Sequence, residues 1–174
     1  MPSNVEIKAR VTDPDSLQRR LDDITGGIEV IQNQHDTFFH TPYGRLKLRR
    51  FPESPAELIY YDRSDAPGPK KSDFRRLFLD DPDYYQKLLS ASLGIRGVVE
   101  KTRRLYRIGQ TRMHLDHVKS LGDFLELEVM LEPGQSTEEG QTVAEKIMDQ
   151  LKIRKEDLVD AAYIDLLESS DGID

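Results

Sequence analysis

The chain has 174 residues, 37% of them hydrophobic and 33% charged, a length that suits one domain of the common ~100–200 residues. Lys and Arg total 25 against 32 Asp and Glu, a net charge of −7 that argues against general nucleic-acid binding. The lack of cysteine excludes disulfide scaffolds, thiolate zinc sites and cysteine nucleophiles; with no apolar run long enough to span a membrane and no signal-peptide character in Met1-Pro2-Ser3-Asn4, a cytoplasmic protein is expected.

The elements follow in chain order, with no internal repeat and no low-complexity linker. Residues 4–11 alternate as a strand. A helix over 14–24 takes Asp13 as N-cap and Pro14 as its first residue, carries the stripe Leu17, Leu21 and Ile24, and stops at Gly26-Gly27. Strands follow at 29–39, 45–51, 56–63 and 73–79, punctuated by turn residues at 41–44, 52–55 and 66–69. A second helix over 82–93 repeats the design, with Asp81 as cap and Gly94 as stop. Strands at 97–107, 111–118 and 123–131 come next, the first two joined across Gly109-Gln110. Past a break at 133–136, a third helix opens on Ser136, with Glu139 placed to complete a capping box and Val143, Ala144, Ile147, Met148 and Leu151 as its apolar face. A fourth helix is expected over about 155–167. Residues 1–168 read as one domain and 169–174 as a flexible tail.

The strand faces carry the main signal, because side chains alternate across a strand. Val5, Ile7 and Ala9 share one face of the first strand, and Glu6, Lys8 and Arg10 the other. Leu46 and Leu48 oppose Arg45, Lys47 and Arg49; Lys101 and Arg103 point together; His114 and Asp116 oppose Met113 and Leu115. In the last strand Leu125, Leu127, Val129 and Leu131 oppose Glu126 and Glu128. One reading is an antiparallel sheet with a solvated outer face. The other is an α+β fold: an antiparallel barrel of about eight strands, its charged faces turned inward and its helices packed outside. A tunnel lined by Lys and Arg is costly to bury empty and makes sense around a polyanion. Carboxylates in the same cavity make sense around a hard divalent cation. Together they are chemistry for a polyphosphate: cations neutralise phosphate oxygens, and a metal bridges them.

These residues resemble the CYTH superfamily, the triphosphate tunnel metalloenzymes, whose members include class IV adenylyl cyclases, thiamine triphosphatases and inorganic triphosphatases. Asn4-Val5-Glu6-Ile7-Lys8 resembles that family's Glu-x-Glu-x-Lys strand. Asp36-Thr37-Phe38-Phe39, Leu46-Lys47-Leu48-Arg49, Val99-Glu100-Lys101-Thr102-Arg103, His114-Leu115-Asp116 and Phe124-Leu125-Glu126-Leu127-Glu128 resemble its later strands, in order. The resemblance implies a tunnel barrel with Mg²⁺ or Mn²⁺ on Glu6, Glu126 and Glu128. It implies that Lys8, Lys47, Arg49, Arg63, Arg75, Lys101 and Arg103 grip the substrate. Register leaves Lys70 and Arg76 as rivals to Arg63 and Arg75. Glu6, Lys8, Lys101 and Asp116 are the implied catalytic group, Asp116 at the acidic end or orienting a basic residue. Asn4 departs from the pattern, standing where the family has a carboxylate.

The implied function is a divalent-metal-dependent hydrolase of inorganic triphosphate or a small organic triphosphate such as thiamine or nucleoside triphosphate. The alternatives are a cyclase that converts ATP to cyclic AMP and pyrophosphate, and a non-catalytic triphosphate-binding module. The expected partner is that small molecule, with no membrane and no nucleic acid, in a monomer or homodimer. Other features read plainly. His114 and His117 lie three apart on a strand and face opposite sides, which disfavours a shared zinc; His114 is a tunnel or a rim residue. Gly68-Pro69-Lys70-Lys71-Ser72 lacks the spacing of a phosphate loop and reads as a hairpin turn. Tyr60-Tyr61 and Tyr84-Tyr85 read as packing residues.

Overall fold

The alternation of apolar and charged residues is resolved by closure of the sheet. The computed structural model describes residues 2–63 and 69–171. Its strands are β1 (Ser3–Arg10), β2 (Val30–Phe39), β3 (Arg45–Arg50), β4 (Ala56–Arg63), β5 (Lys70–Leu79), β6 (Ile95–Ile108), β7 (Thr111–Val118) and β8 (Gly122–Met130). They form a closed antiparallel barrel in the order β1-β5-β4-β3-β2-β6-β7-β8. Helices α1 (Pro14–Thr25), α2 (Pro82–Leu93), α3 (Thr137–Leu151) and α4 (Tyr163–Asp171) complete the described α+β fold. No helix among the described residues is long and apolar enough to cross a membrane.

One hydrophobic cluster lies outside the barrel wall. Ile7, Met113, Leu115, Leu125 and Leu127 turn outward and pack on Leu17 and Leu21 of α1 and on Ile147, Met148 and Leu151 of α3. Asp13 caps α1 through the Ser16 N–H, and Ser136 with Glu139 forms the reciprocal capping box of α3. Glycine at 140 lets α3 approach β1. A Cβ there would stand 2.6 Å from Leu131 Cδ2 and 2.8 Å from Val5 Cγ2, closer than carbon atoms tolerate.

The C-terminal segment corrects the sequence reading. The expected fourth helix is split into a 3-10 turn, Lys155–Asp157, and the short α4. The barrel captures the chain between them. Leu158 bridges Ala9, the Val159 N–H donates to the Lys8 carbonyl, and the carbonyls of Asp160 and Ala161 accept from Lys70 Nζ and Lys8 Nζ. Those backbone groups cannot also serve a helix, so tertiary bonds override local propensity. α4 restarts where Asp165 reaches back to the Ala162 N–H. Ala162, Tyr163 and Ile164 pack on Phe38, Val99, Val118 and Phe124. β5 begins at Lys70, three residues before the expected start at 73, because Lys70 and Ser72 pair with Glu6 and Asn4 of β1. The turn expected at 66–69 lies, apart from Pro69, outside the described residues, as do 172–174 of the tail.

Candidate active site

The inward faces of the strands enclose a cavity of about 220 Å³. Lys8, Lys47, Arg49, Arg63, Lys101 and Arg103 line it together with Glu6, Glu126 and Glu128. Each has the inward parity of its strand, opposite the residues that pack under α1 and α3, and Val99 and Phe124 share that parity at the end of the barrel packed on Tyr163. Strand pairing sets the heights along the tunnel: Lys8 is opposite Glu126 and Glu6 opposite Glu128 across β1–β8, and Gln34 is opposite Lys101 across β2–β6.

Two buried aspartates hold the cations in place. Asp36 accepts from Arg49 Nε and Nη2, both at 2.7 Å, and from Lys101 Nζ at 2.9 Å, with Lys47 Nζ at 3.5 Å. Burial works against its charge, but Arg49, Lys101 and Lys47 outweigh burial and hold its carboxyl well below the usual range. Asp116 accepts from Arg103 Nε and Nη2 at 2.8 and 2.7 Å and from the Tyr163 hydroxyl at 2.8 Å. The paired forks fix both guanidinium planes. The lysines are less comfortable. Burial, reinforced by Arg49, pushes Lys47 down to about 7, and burial pushes Lys8 down to about 8. Lys8 Nζ donates to the Ala161 carbonyl at 3.0 Å, lies 3.6 Å from Glu126 Oε1 and sits 4.0 Å over the Tyr163 ring.

The carboxylates gather on the β1, β7 and β8 side. One donor atom each from His114, Glu126 and Glu128 lies within 4.8 Å of the others. Burial opposes ionisation of Glu126, but Lys8 and Arg103 hold its carboxyl well below the usual range. Glu6 is tied to Arg63 Nη1 at 3.2 Å, and burial with Glu128 beside it pushes its carboxyl up. These oxygens suit a divalent cation. Asn4 Oδ1, Gln34 Oε1, Arg63 Nε, Ser72 Oγ, Arg112 Nε and His114 Nδ1 also line the cavity, buried and without a hydrogen-bond partner among the described residues. Buried polar atoms are rarely left so, and this concentration fits a wall built for a polar guest.

Arg75, expected among the gripping residues, is exposed and absent from the cavity wall; Ser72, Phe74 and Arg76 have the inward parity of β5. The reason is the register Tyr60↔Arg75 and Ile59↔Arg76, in which Ile59 and Arg76 line the cavity. Lys70 is held by the Asp160 carbonyl at 2.8 Å. Asp116 stands behind Arg103 rather than on the cavity wall and holds its guanidinium through two hydrogen bonds. Asn4 is buried on the wall. His114 takes a tunnel position, while His117 is exposed beside Asp123, 3.0 Å from its Oδ1. Sequence reasoning gave no role to Asp36 as the anchor of three cations or to Tyr163. The inward parity of Asp36 was readable; Tyr163 reaches the tunnel only because the helix is interrupted.

A family model for the CYTH domain matches residues 3–163. The chain belongs to the CYTH family. Adenylate cyclase CyaB of Aeromonas hydrophila is 25% identical to it over 176 residues, which cover 95% of this chain and 89% of the relative. The structure of protein PH1012 from Pyrococcus horikoshii OT3 is 24% identical, with a TM-score of 0.85, covering 94% of this chain and 98% of that one. The Hippeastrum protein HpAC1, described as having a dominant triphosphatase activity, is 15% identical with a TM-score of 0.67, covering 98% of this chain and 96% of its own. These structural likenesses establish the CYTH barrel. CYTH tunnel enzymes act on triphosphates with divalent metals, and the acidic residues of this CYTH chain cluster in its tunnel.

Proposed function

We propose that the protein is a divalent-metal-dependent hydrolase of inorganic triphosphate or a small organic triphosphate. The observation that carries the reading is the cavity wall itself, where Lys8, Lys47, Arg49, Arg63, Lys101 and Arg103 are among the cationic side chains and Glu6, Glu126 and Glu128 among the carboxylates. Its volume of about 220 Å³ falls below the ~300–1,000 Å³ typical of sites that enclose drug-sized organic ligands, which favours a compact anion.

Lys47, Arg49, Lys101 and Arg103 would neutralise the phosphate chain, with Arg49 and Arg103 held rigid by Asp36 and Asp116. Arg63 would bind from the β4 side. Glu6, Glu126 and Glu128 would hold Mg²⁺ or Mn²⁺, and a divalent cation held there would supply Lewis-acid charge stabilisation to the phosphate chain. Water attacks the terminal phosphorus, the P–O bond to the bridging oxygen breaks, and pyrophosphate leaves. The cations stabilise the charge on the leaving oxygens, and their positioning precedes the chemistry. Lys8, lowered to about 8 by burial, is poised to give a proton to the leaving oxygen.

The second reading is a cyclase, favoured by the 25% identity to the Aeromonas protein named an adenylate cyclase. HpAC1, at 15% identity, lends this chain a fold and no activity. A timed incubation with inorganic triphosphate, thiamine triphosphate and ATP, each with Mg²⁺ or Mn²⁺ and with products resolved by ion chromatography, separates the readings. Orthophosphate and pyrophosphate from inorganic triphosphate are expected. Cyclic AMP with pyrophosphate from ATP would install the cyclase. Tight binding without turnover would leave a binding module and overturn the hydrolase.

A further inference from the structure

We propose that His114 is a nitrogen ligand of the tunnel's divalent cation and biases that site towards Mn²⁺ over Mg²⁺. The inference rests on the metal reading above and deepens it. His114 lies on the inward face of β7, directly opposite Glu126 in the β7–β8 register. Its side chain is buried, and Nδ1 stands 3.8 Å from Glu126 Oε2 and 3.9 Å from Glu128 Oε1.

Both separations are too long for hydrogen bonds, which run to about 3.2 Å for N–H···O. A simple imidazolium–carboxylate pair would close that gap, and the ring has not done so. Nδ1 is instead a buried nitrogen with no partner at hydrogen-bond distance among the described residues, held between two carboxylates that draw on its charge. The same separations suit a shared cation. Metal–ligand distances of about 2.1 Å allow two donors to lie up to about 4.2 Å apart across one ion.

The carboxylates leave room for this arrangement. Glu128 uses Oε2 to accept from Arg112 Nη2 at 2.7 Å, while Oε1 is the atom measured against His114. Glu126 accepts from Arg103 through Oε2 at 3.3 Å, a long bond, and has Lys8 3.6 Å from Oε1. The donor set is therefore mixed: carboxylate oxygen and imidazole nitrogen. Imidazole suits first-row transition ions, whereas all-oxygen sets suit Mg²⁺.

The test uses the intact protein with Mn²⁺ alone, without triphosphate, read by electron spin-echo envelope modulation. The wild type is expected to show a directly coordinated ¹⁴N, and selective ¹⁵N-histidine labelling should convert that modulation to the ¹⁵N pattern. His114→Gln should abolish it while Mn²⁺ still binds through the carboxylates. In parallel titrations the variant should lose about tenfold in Mn²⁺ affinity and keep its Mg²⁺ affinity within about twofold. Bound Mn²⁺ without nitrogen coupling in the wild type would overturn the ligand role of His114 and leave the carboxylate site standing. Failure of the wild type to bind Mn²⁺ or Mg²⁺ would overturn both. The isotope experiment needs no variant, so a poorly folding His114→Gln leaves the proposal open to refutation.

Discussion

Lys47 and Lys8 are ammonium groups in a wall that penalises their charge, and the penalty has a sign. In the folded, ligand-free protein Lys47 titrates near 7 and Lys8 near 8, against 10.5 for an ordinary lysine. Between about pH 7 and 10 the unfolded chain therefore binds more protons than the folded one, and stability rises with pH. The expected outcome is a melting temperature that climbs from pH 7 to 9 without ligand, with a flatter climb in Lys47→Met. A triphosphate bound near pH 8 returns protons to these lysines, so calorimetry in buffers of different ionisation enthalpy should read proton uptake. A flat or falling melting profile would contradict this account of Lys47. At this scale the sequence was legible through parity: Glu6, Lys8, Lys47, Arg49, Lys101, Arg103, Glu126 and Glu128 all fall on the inward side. Arg75 was misplaced because Arg75 and Arg76 are adjacent and chemically alike, so only the pairing with β4 distinguishes them. Asp36 gave no hint of its partners because Arg49 and Lys101 come from strands 13 and 65 residues away in the chain.

Among the elements, α1, α2 and α3 were readable from caps and stripes, because those signals are local. The segment from Leu158 to Ala162 was not. Its apolar residues fit a helical pattern, and what straightens it is a set of bonds from Lys8 and Lys70 on distant strands. That diversion brings Tyr163 to Asp116 and seats the α4 entry on the tunnel residues Phe38 and Val99. α3 depends on a different device, the missing side chain at Gly140. Gly140→Val would drive methyl groups into Val5 and Leu131, and overpacking of this kind costs about 1–3 kcal/mol. Thermal melts should show the variant several degrees below the wild type, with the triphosphate site unchanged once folded. An unaltered melting temperature would mean that α3 does not rest on β1 as described.

On the scale of the whole molecule, the barrel is inverted relative to an ordinary domain: apolar outside the wall under its helices, and charged within except where Phe38, Val99 and Phe124 meet Tyr163. Such an interior is expensive to bury when partners are missing, and Asp36, Asp116 and the carboxylate cluster offset part of that cost. A bound polyanion would offset more, because ligand that binds only the folded state stabilises it, by about 2.7 kcal/mol at a hundred times Kd. The closed barrel was legible from the number of alternating strands and from helices whose stripes needed a surface; the strand order that joins β1 to β5 and β2 to β6 was not, since it is set by long-range pairing. The most direct measurement is a calorimetric titration of inorganic triphosphate into the wild type and Lys101→Met. The account predicts one triphosphate per chain, orthophosphate bound far more weakly, and at least a tenfold loss, about 1.4 kcal/mol, in the variant. Equal affinity in the two proteins, or no binding to the wild type, would contradict a triphosphate site inside the barrel.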